Sequence, residues 1–180
     1  MSQIFFGLLD QGDRIVGHRC LYAGANMWLN EDLPSRWGID TARVDMRDLD
    51  ALREALEKPT KIVYFEPYAN ASMDFIDVKA VIDLAHDAGA LAFIDAVHYA
   101  PHRLIDVQDW DCDFLACSAY KFFGPHIGIL YGKRQLLENT PPYKLRPAPN
   151  DLPGRWMTGT QSHEAIMGAL AAVNYIASLS

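Results

Sequence analysis

A chain of 180 residues, half of them hydrophobic, is long enough to bury one sizeable core, so one domain or a large part of one is expected. The formal charge of -7, with 16 Lys and Arg that form no dense run, argues against a nucleic-acid partner and leaves a small anionic ligand, held by local donors, as compatible. Cys20, Cys112 and Cys117 are odd in number and lack a CxxC pair, no apolar stretch approaches the roughly 18 residues of a membrane span, and MSQIFFGLLDQGDR lacks a basic leader; the expectation is a cytoplasmic protein with no membrane partner.

In chain order, Ile4, Phe5, Leu8 and Leu9 fall at helical spacing, so the chain opens in a helix that ends at the turn cluster Asp10 to Asp13. The apolar run Ile15-Val16-Gly17 follows, then a strand-like ARVD over 42–45. A helix is signalled by Leu49, Leu52, Ala55 and Leu56 with Asp48 as its cap. KIVYFE (61–66) reads as a buried strand. Asp77 caps a helix carrying Val78, Val81, Ile82 and Ala85, and Gly89 supplies the left-handed position that stops it. LAFID (91–95) is the next strand, Phe114 to Cys117 and Gly128 to Tyr131 two more, and the connection between these last two is too short for a crossover helix, which predicts an antiparallel pair. Ser162 caps a final helix with Ile166, Leu170, Val173 and Ile176. Strand and helix alternating in this rhythm imply right-handed crossovers, hence an α/β fold with an open, mostly parallel sheet and helices on both faces. The expected organisation is a core over 1–140, a Pro-rich connection over 141–161 and a C-terminal helix over 162–180 packed on the core.

Ligands of open α/β sheets sit beyond the carboxyl ends of the strands, which singles out Asn70, Asp95 and the segment Ser118 to Lys121. From Phe114 to Gly132 the only Lys, Arg, Asp or Glu is Lys121. Two readings are open: a lysine that snorkels to solvent, or an amine whose desolvation favours the free base needed to condense with an aldehyde. Asp95, at the end of a buried strand, needs a partner; a protonated pyridine nitrogen is one, a helix cap or structural hydrogen bond another. A carboxylate and an isolated amine together point to pyridoxal phosphate (PLP), whose ring is an electron sink when its nitrogen is held protonated. His98 and His102, with Asp95 or Asp106, suggest a metal-dependent hydrolase instead, but Pro101 breaks the helical spacing such a pair needs, so no metal is expected. Dinucleotide, P-loop and GxSxG motifs are absent.

DAVHYAPHRLIDVQDWDCDFLACSAYKFFGPHIGILYGKRQLL and PPYKLRPAPNDLPGRWMTGTQSHEAI, about residues 90–180, resemble the cysteine-desulfurase-like branch of the class V aminotransferases. GLLDQGDRIVGHRCLYAGANMW, RVDMRDLDALREAL and KIVYFEPYANASMDFIDV, within residues 7–95, resemble the Cys/Met-metabolism PLP enzymes, the cystathionine synthases and lyases and methionine γ-lyase. Both groups share the fold-type I scaffold, and their patterns meet at Asp95, as in a divergent or recombined chain. The resemblance implies Lys121 as the Schiff-base lysine, Asp95 as partner of the pyridine nitrogen, Ser118 on the cofactor phosphate and Asn70 on its phenolic oxygen. It implies further that Tyr22 stacks on the ring, that His98 reaches the phenolic oxygen and imine, and that Gly159 and Thr160 belong to a segment crossing a homodimer interface to the neighbouring phosphate.

The same resemblance implies parts that these residues do not supply: a glycine-containing phosphate turn ahead of the first helix, a C-terminal small domain with an arginine for the substrate carboxylate, and the mobile desulfurase cysteine. Weakened cofactor affinity and poor turnover are therefore expected of this chain by itself. The leading expectation is the PLP-binding core of an amino-acid-transforming enzyme with carbon-sulfur lyase, desulfurase or aminotransferase-like chemistry; the rival is a non-catalytic α/β scaffold, truncated or chimeric, that retains these residues as relics.

Overall fold

Alternating apolar side chains divide the central strands between two cores, as the period of two in a β-strand requires. The computed structural model describes residues 1–157 and 159–179. Its six strands are β1 (Arg14–His18), β2 (Asp40–Val44), β3 (Ile62–Phe65), β4 (Leu91–Asp95), β5 (Phe114–Ser118) and β6 (Gly128–Gly132), in the order β2-β1-β3-β4-β5-β6. The first five run parallel, and β6 is antiparallel to β5 with Phe114 opposite Gly132 and Ser118 opposite Gly128. The strand order reverses direction from β1, with β2 on one side and β3 to β5 on the other, which is the doubly wound pattern expected of the sequence.

On one face Val16, Val63, Phe65, Ala92, Ile94 and Leu115 join α4 (Leu49–Leu56), α5 (Val78–Asp87) and α6 (Val107–Trp110). On the other Ile15, Ile62, Tyr64, Phe93 and Phe114 meet α1 (Ser2–Leu8), α2 (Ala23–Met27), α3 (Leu33–Trp37) and α7 (Arg134–Asn139). Phe5, Tyr64 and Phe93 contact one another edge to face with ring centres 5.5–5.7 Å apart, and each fully buried ring contributes roughly 1.5–3 kcal/mol relative to exposure. The helix starts are satisfied locally: Asp48 accepts from the amides of Asp50 and Ala51, Asp77 from Ala80, and Ser162 from Ala165. Gly89 adopts φ 74° after α5, the left-handed conformation that releases the chain into β4.

One helical stretch was not expected from the sequence. Residues Ala23 to Trp37 form α2, a widened π segment over Trp28–Asp32, and α3, with Gly38 closing it at φ 64°. Gly24, Asn26, Asn30 and Pro34 conceal it by composition, although Ala25, Leu29 and Leu33 recur every fourth residue and are its buried side. Leu29 lies so close to β1 that a Cβ on Gly17 would come within 2.5 Å of its Cδ2.

The last helix, α8 (His163–Ala177), departs from the expected pattern. Ile166, Leu170 and Val173 are 39 %, 50 % and 48 % exposed, and the buried positions are Ala169 and Ala172. Small residues let this helix approach the turn after β5, where Gly168 meets Pro125, and Tyr175 meets Phe123 edge to face. The preceding connection is tied to α7: Arg155 donates to the carbonyls of Glu138 and Thr140, and Trp156 Nε1 to that of Leu137.

Candidate active site

The same alternation that fills the α1–α3 face delivers polar residues once the strands reach their carboxyl ends. Phe93 is followed on its face by Asp95, Phe114 and Ala116 by Ser118, and Tyr64 by Glu66 just beyond β3. A cavity of about 610 Å³ opens above them, lined by Met1, Ser2, Tyr22, Gly24, Ala25, Met27, Trp28, Glu66, Asn70, Asp95, Val97, His98, Ser118, Tyr120 and Lys121. Six of the expected site residues, Tyr22, Asn70, Asp95, His98, Ser118 and Lys121, thus share one wall system. Gly159 and Thr160 are exposed and are not among the lining residues.

Asp95 is held at both oxygens. Tyr64 donates its hydroxyl to Oδ2 at 2.9 Å and the Val97 amide donates to Oδ1 at 3.1 Å, which fixes the carboxylate while leaving it on the cavity wall. Burial pushes the Tyr64 phenol well above its ordinary pKa, and the negative Asp95 adds to the shift, so Tyr64 remains a donor throughout the neutral range. Lys121 sits in a single turn of 3-10 helix, Ala119–Phe122. Its isolation among apolar residues does not become burial: the side chain is exposed at the rim, with Nζ 5.0 Å from the centre of the Tyr120 ring, and Tyr120 in turn stacks on His126. The sequence contained the lysine's position but not its exposure, because a short turn lifts it off the strand end.

Glu66 was missed. It is 3 % exposed, and its oxygens accept from the amides of Tyr22 (2.6 Å) and Asn70 (3.1 Å). Burial raises its pKa to about 7, Asp95 adding to the rise while the two amides and Arg43 oppose it. The signal was available in KIVYFE: Glu66 has the same parity as Ile62 and Tyr64, so it extends the α1–α3 face exactly as far as Asp95 does on the next strand.

The residues fit PLP by their chemistry. An amine, a fixed carboxylate, a hydroxyl and a side-chain amide line one cavity, and His98 Nδ1 is buried with no hydrogen-bond partner among the described residues. A metal centre fits less well. Asp95 is occupied by Tyr64 and Val97, and the His98 and His102 rings meet edge to face at 5.7 Å, so Asp95, His98 and His102 form no convergent triad. His18, Asp45 and Asp74 do converge within 4.8 Å. Their carboxylates, however, are already paired: Arg47 takes both oxygens of Asp45 and one of Asp74, Arg19 takes the other, and Arg47 holds the Asp45 carboxyl well below the usual range. His18 is buried, accepts from the Met46 amide, and is kept neutral by desolvation. This group is an ion-pair latch tying the loop around Asp74 to the ends of β1 and β2.

The family model "Aminotransferase class-V" matches residues 37–180, so that pattern begins well before residue 90. Cysteine desulfurases from Pectobacterium atrosepticum and Synechococcus elongatus are 36 % and 34 % identical to the chain, covering 73 % and 93 % of it but 36 % and 29 % of their own lengths. A canavanine γ-lyase from Pseudomonas canavaninivorans is 29 % identical over 77 % of the chain and 35 % of its own length. The cysteine desulfurase CsdA of Escherichia coli superposes with a TM-score of 0.82 at 26 % identity, over 98 % of this chain and 50 % of that one. The chain therefore spans about a third of the curated relatives it matches and half of that solved structure. Class V aminotransferase and cysteine desulfurase homologues are PLP-dependent. With a match over residues 37–180 and a sheet whose carboxyl ends gather Lys121, Asp95 and Ser118, this chain belongs to the class V aminotransferase family.

Proposed function

We propose that the cavity holds PLP and that the protein carries out desulfurase-like or aminotransferase-like chemistry on a small amino acid, sulfur-bearing ones first among them. The observation that carries this reading is the meeting of Lys121 and Asp95 on one cavity wall at the carboxyl ends of neighbouring strands in a chain of this family. When bound, the cofactor supplies an aldehyde for amine condensation and a ring that withdraws electrons from the amino-acid α-carbon. Lys121 Nζ would be the attachment point for the cofactor aldehyde and, as a free amine, the base for the α-proton. Its exposure at the rim gives it the freedom to move between those two tasks. Asp95 would keep the ring nitrogen protonated, and Tyr64 and the Val97 amide keep its carboxylate from turning away. Ser118 would donate to the phosphate, Asn70 and His98 would serve the phenolic oxygen, and Tyr22 would cover the ring. Gly159 and Thr160, exposed in the single chain, reach the neighbouring subunit's phosphate in a homodimer, and the protein works in the cytoplasm.

The test begins with the purified chain incubated with PLP and freed of excess. A visible band distinct from that of the free cofactor should remain, and borohydride reduction followed by peptide mapping should place the label on Lys121. The two lysines next along the chain are engaged elsewhere: Lys133 pairs with Asp111 and Asp113 at 2.8 and 2.9 Å, and Lys144 donates to the Ala148 carbonyl. A label on either of them, or a band retained by Lys121→Ala, overturns the assignment. No retained band in the unmutated chain leaves the scaffold reading in its place.

A further inference from the structure

Glu66 joins two loops that are distant in sequence. Tyr22 precedes α2 on the connection from β1, whereas Asn70 lies on the loop that leaves β3; Cys20 to the Asn70 carbonyl and Arg19 to Asp74 tie the flanks of these loops, and the Glu66 carboxylate joins Tyr22 to Asn70 themselves, one backbone amide on each oxygen. Among the described residues no Lys, Arg or His hydrogen-bonds to it, and it is 3 % exposed. A buried acid without a cation is expensive, and it is tolerated here because both oxygens are filled by N–H donors. Neither Gln nor Asp reproduces this: Gln turns an NH2 donor toward one of the amides, and Asp is one methylene too short to span the gap.

We propose that Glu66 is the positioning residue of this site, its carboxylate setting the separation between the backbones that carry Tyr22 and Asn70, and hence the width of the cavity. The proposal rests on the reading of that cavity as the PLP site. Tyr22 and Asn70 come to the cavity from different loops, and beside the Cys20 bond to the Asn70 carbonyl, Glu66 is the one side chain among the described residues that bonds to both of them.

The clamp is sensitive to protons. The charged and titratable groups around Glu66 are Asp95 on β4, Arg43 on β2 and Tyr64 on β3, with Lys121, His98, the Met1 amine and the Tyr22 and Tyr120 phenols on the same cavity. Burial, reinforced by Asp95, holds its pKa at about 7 against Arg43 and the two amides. The ionised form accepts from both amides; the protonated form presents a hydroxyl to one of them and weakens that bond. The cavity is therefore expected to be tightest above neutrality.

The experiment uses the chain without cofactor first. Amide hydrogen exchange at Tyr22 and Asn70 is followed by NMR in the unmutated protein, Glu66→Gln, Glu66→Asp and Glu66→Ala, with the Ile94 and Phe93 amides in β4 as the check on folding. At pH 8 exchange at Tyr22 and Asn70 should be roughly tenfold or more faster in the Gln and Ala variants, the scale of losing a hydrogen bond to a charged acceptor, and Asp should fall between. In the unmutated protein, protection at these two amides, corrected for intrinsic rates, should fall between pH 8 and pH 6 while that of β4 does not fall; this comparison needs no variant to fold. PLP affinity should then drop at least severalfold in Glu66→Gln. Equal protection in all forms, or no pH dependence, overturns the clamp. Faster exchange with unchanged PLP affinity overturns the positioning role. If the unmutated chain retains no PLP while the exchange results hold, it is the reading of the cavity that fails, and the clamp stands.

Discussion

Removing one hydroxyl beneath Asp95 isolates how this carboxylate is held. Tyr64→Phe deletes the donor to Oδ2 at 2.9 Å but leaves the ring in its cage, between Phe5 at 5.7 Å and Phe93 at 5.5 Å, so buried apolar area is nearly unchanged. Oδ1 keeps the Val97 amide. The loss is one hydrogen bond to a charged acceptor, about 1.5–3 kcal/mol. Because Tyr64 is fully buried, no water replaces the hydroxyl without disturbing the ring. With an m-value of about 2 kcal/mol per molar urea, the unfolding midpoint should fall by roughly 1 M. A double-mutant cycle with Asp95→Asn separates this bond from incidental packing: the coupling should be about 1–2 kcal/mol at pH 7. On the proposed reading of the cavity the same pair should couple in cofactor chemistry, since an unfixed Asp95 would be a poorer partner for the ring nitrogen. Additivity within about 0.5 kcal/mol would refute the idea that Tyr64 orients Asp95 and would reduce it to a core residue.

Glu66 makes a pH-dependent prediction of opposite flavour. Its pKa is about 7 in the folded chain against an ordinary 4.5, so between those values the folded state binds more protons than the unfolded state and stability falls as pH rises. The cost, complete above pH 7, is on the order of 3 kcal/mol at most; urea titrations should show Glu66→Gln gaining about 2–3 kcal/mol relative to the unmutated chain from pH 5 to pH 8, and a flat difference would contradict it. Gly17→Ala should destabilise by about 1–3 kcal/mol, because its Cβ would meet Leu29 Cδ2 at 2.5 Å and Leu29 is fully buried, so that side chain must turn against its packed neighbours or the helix must shift; a thermal midpoint equal to that of the unmutated chain would show the helix to be loosely packed.

What was legible in the sequence was whatever local periodicity encodes. The apolar runs of β1, β3, β4 and β5, the Asp48, Asp77 and Ser162 caps and the left-handed Gly89 are all local signals, and each is present in the structure. The antiparallel β6 followed from connection length. The helix from Ala23 to Trp37 was hidden because its stability comes from tertiary burial of Ala25, Leu29 and Leu33 rather than from propensity. The stripe on α8 misled for the converse reason: a pattern of large apolar residues says that a face exists, but the close approach to Pro125 needs Gly168, Ala169 and Ala172 instead.

The site shows the same division between local signal and tertiary consequence. Asp95, Ser118 and Lys121 stood out because each follows an apolar strand. Glu66 follows one too, yet reads as the end of a strand until the parity of Ile62, Tyr64 and Glu66 is set beside that of Phe93 and Asp95. Placing two acids at the ends of adjacent parallel strands, on the same face, is unfavourable for folding: Asp95 raises the proton affinity of Glu66. The cost is offset beneath them by Phe5, Tyr64, Phe93 and Phe114, a buried aromatic layer that gains nothing from the acids above it. One member of that layer, Tyr64, also turns its hydroxyl upward to Asp95. The sheet face is thus graded along its strands, apolar where it holds the fold together and acidic where it meets the cavity, and Tyr64 is where the two functions share a single side chain.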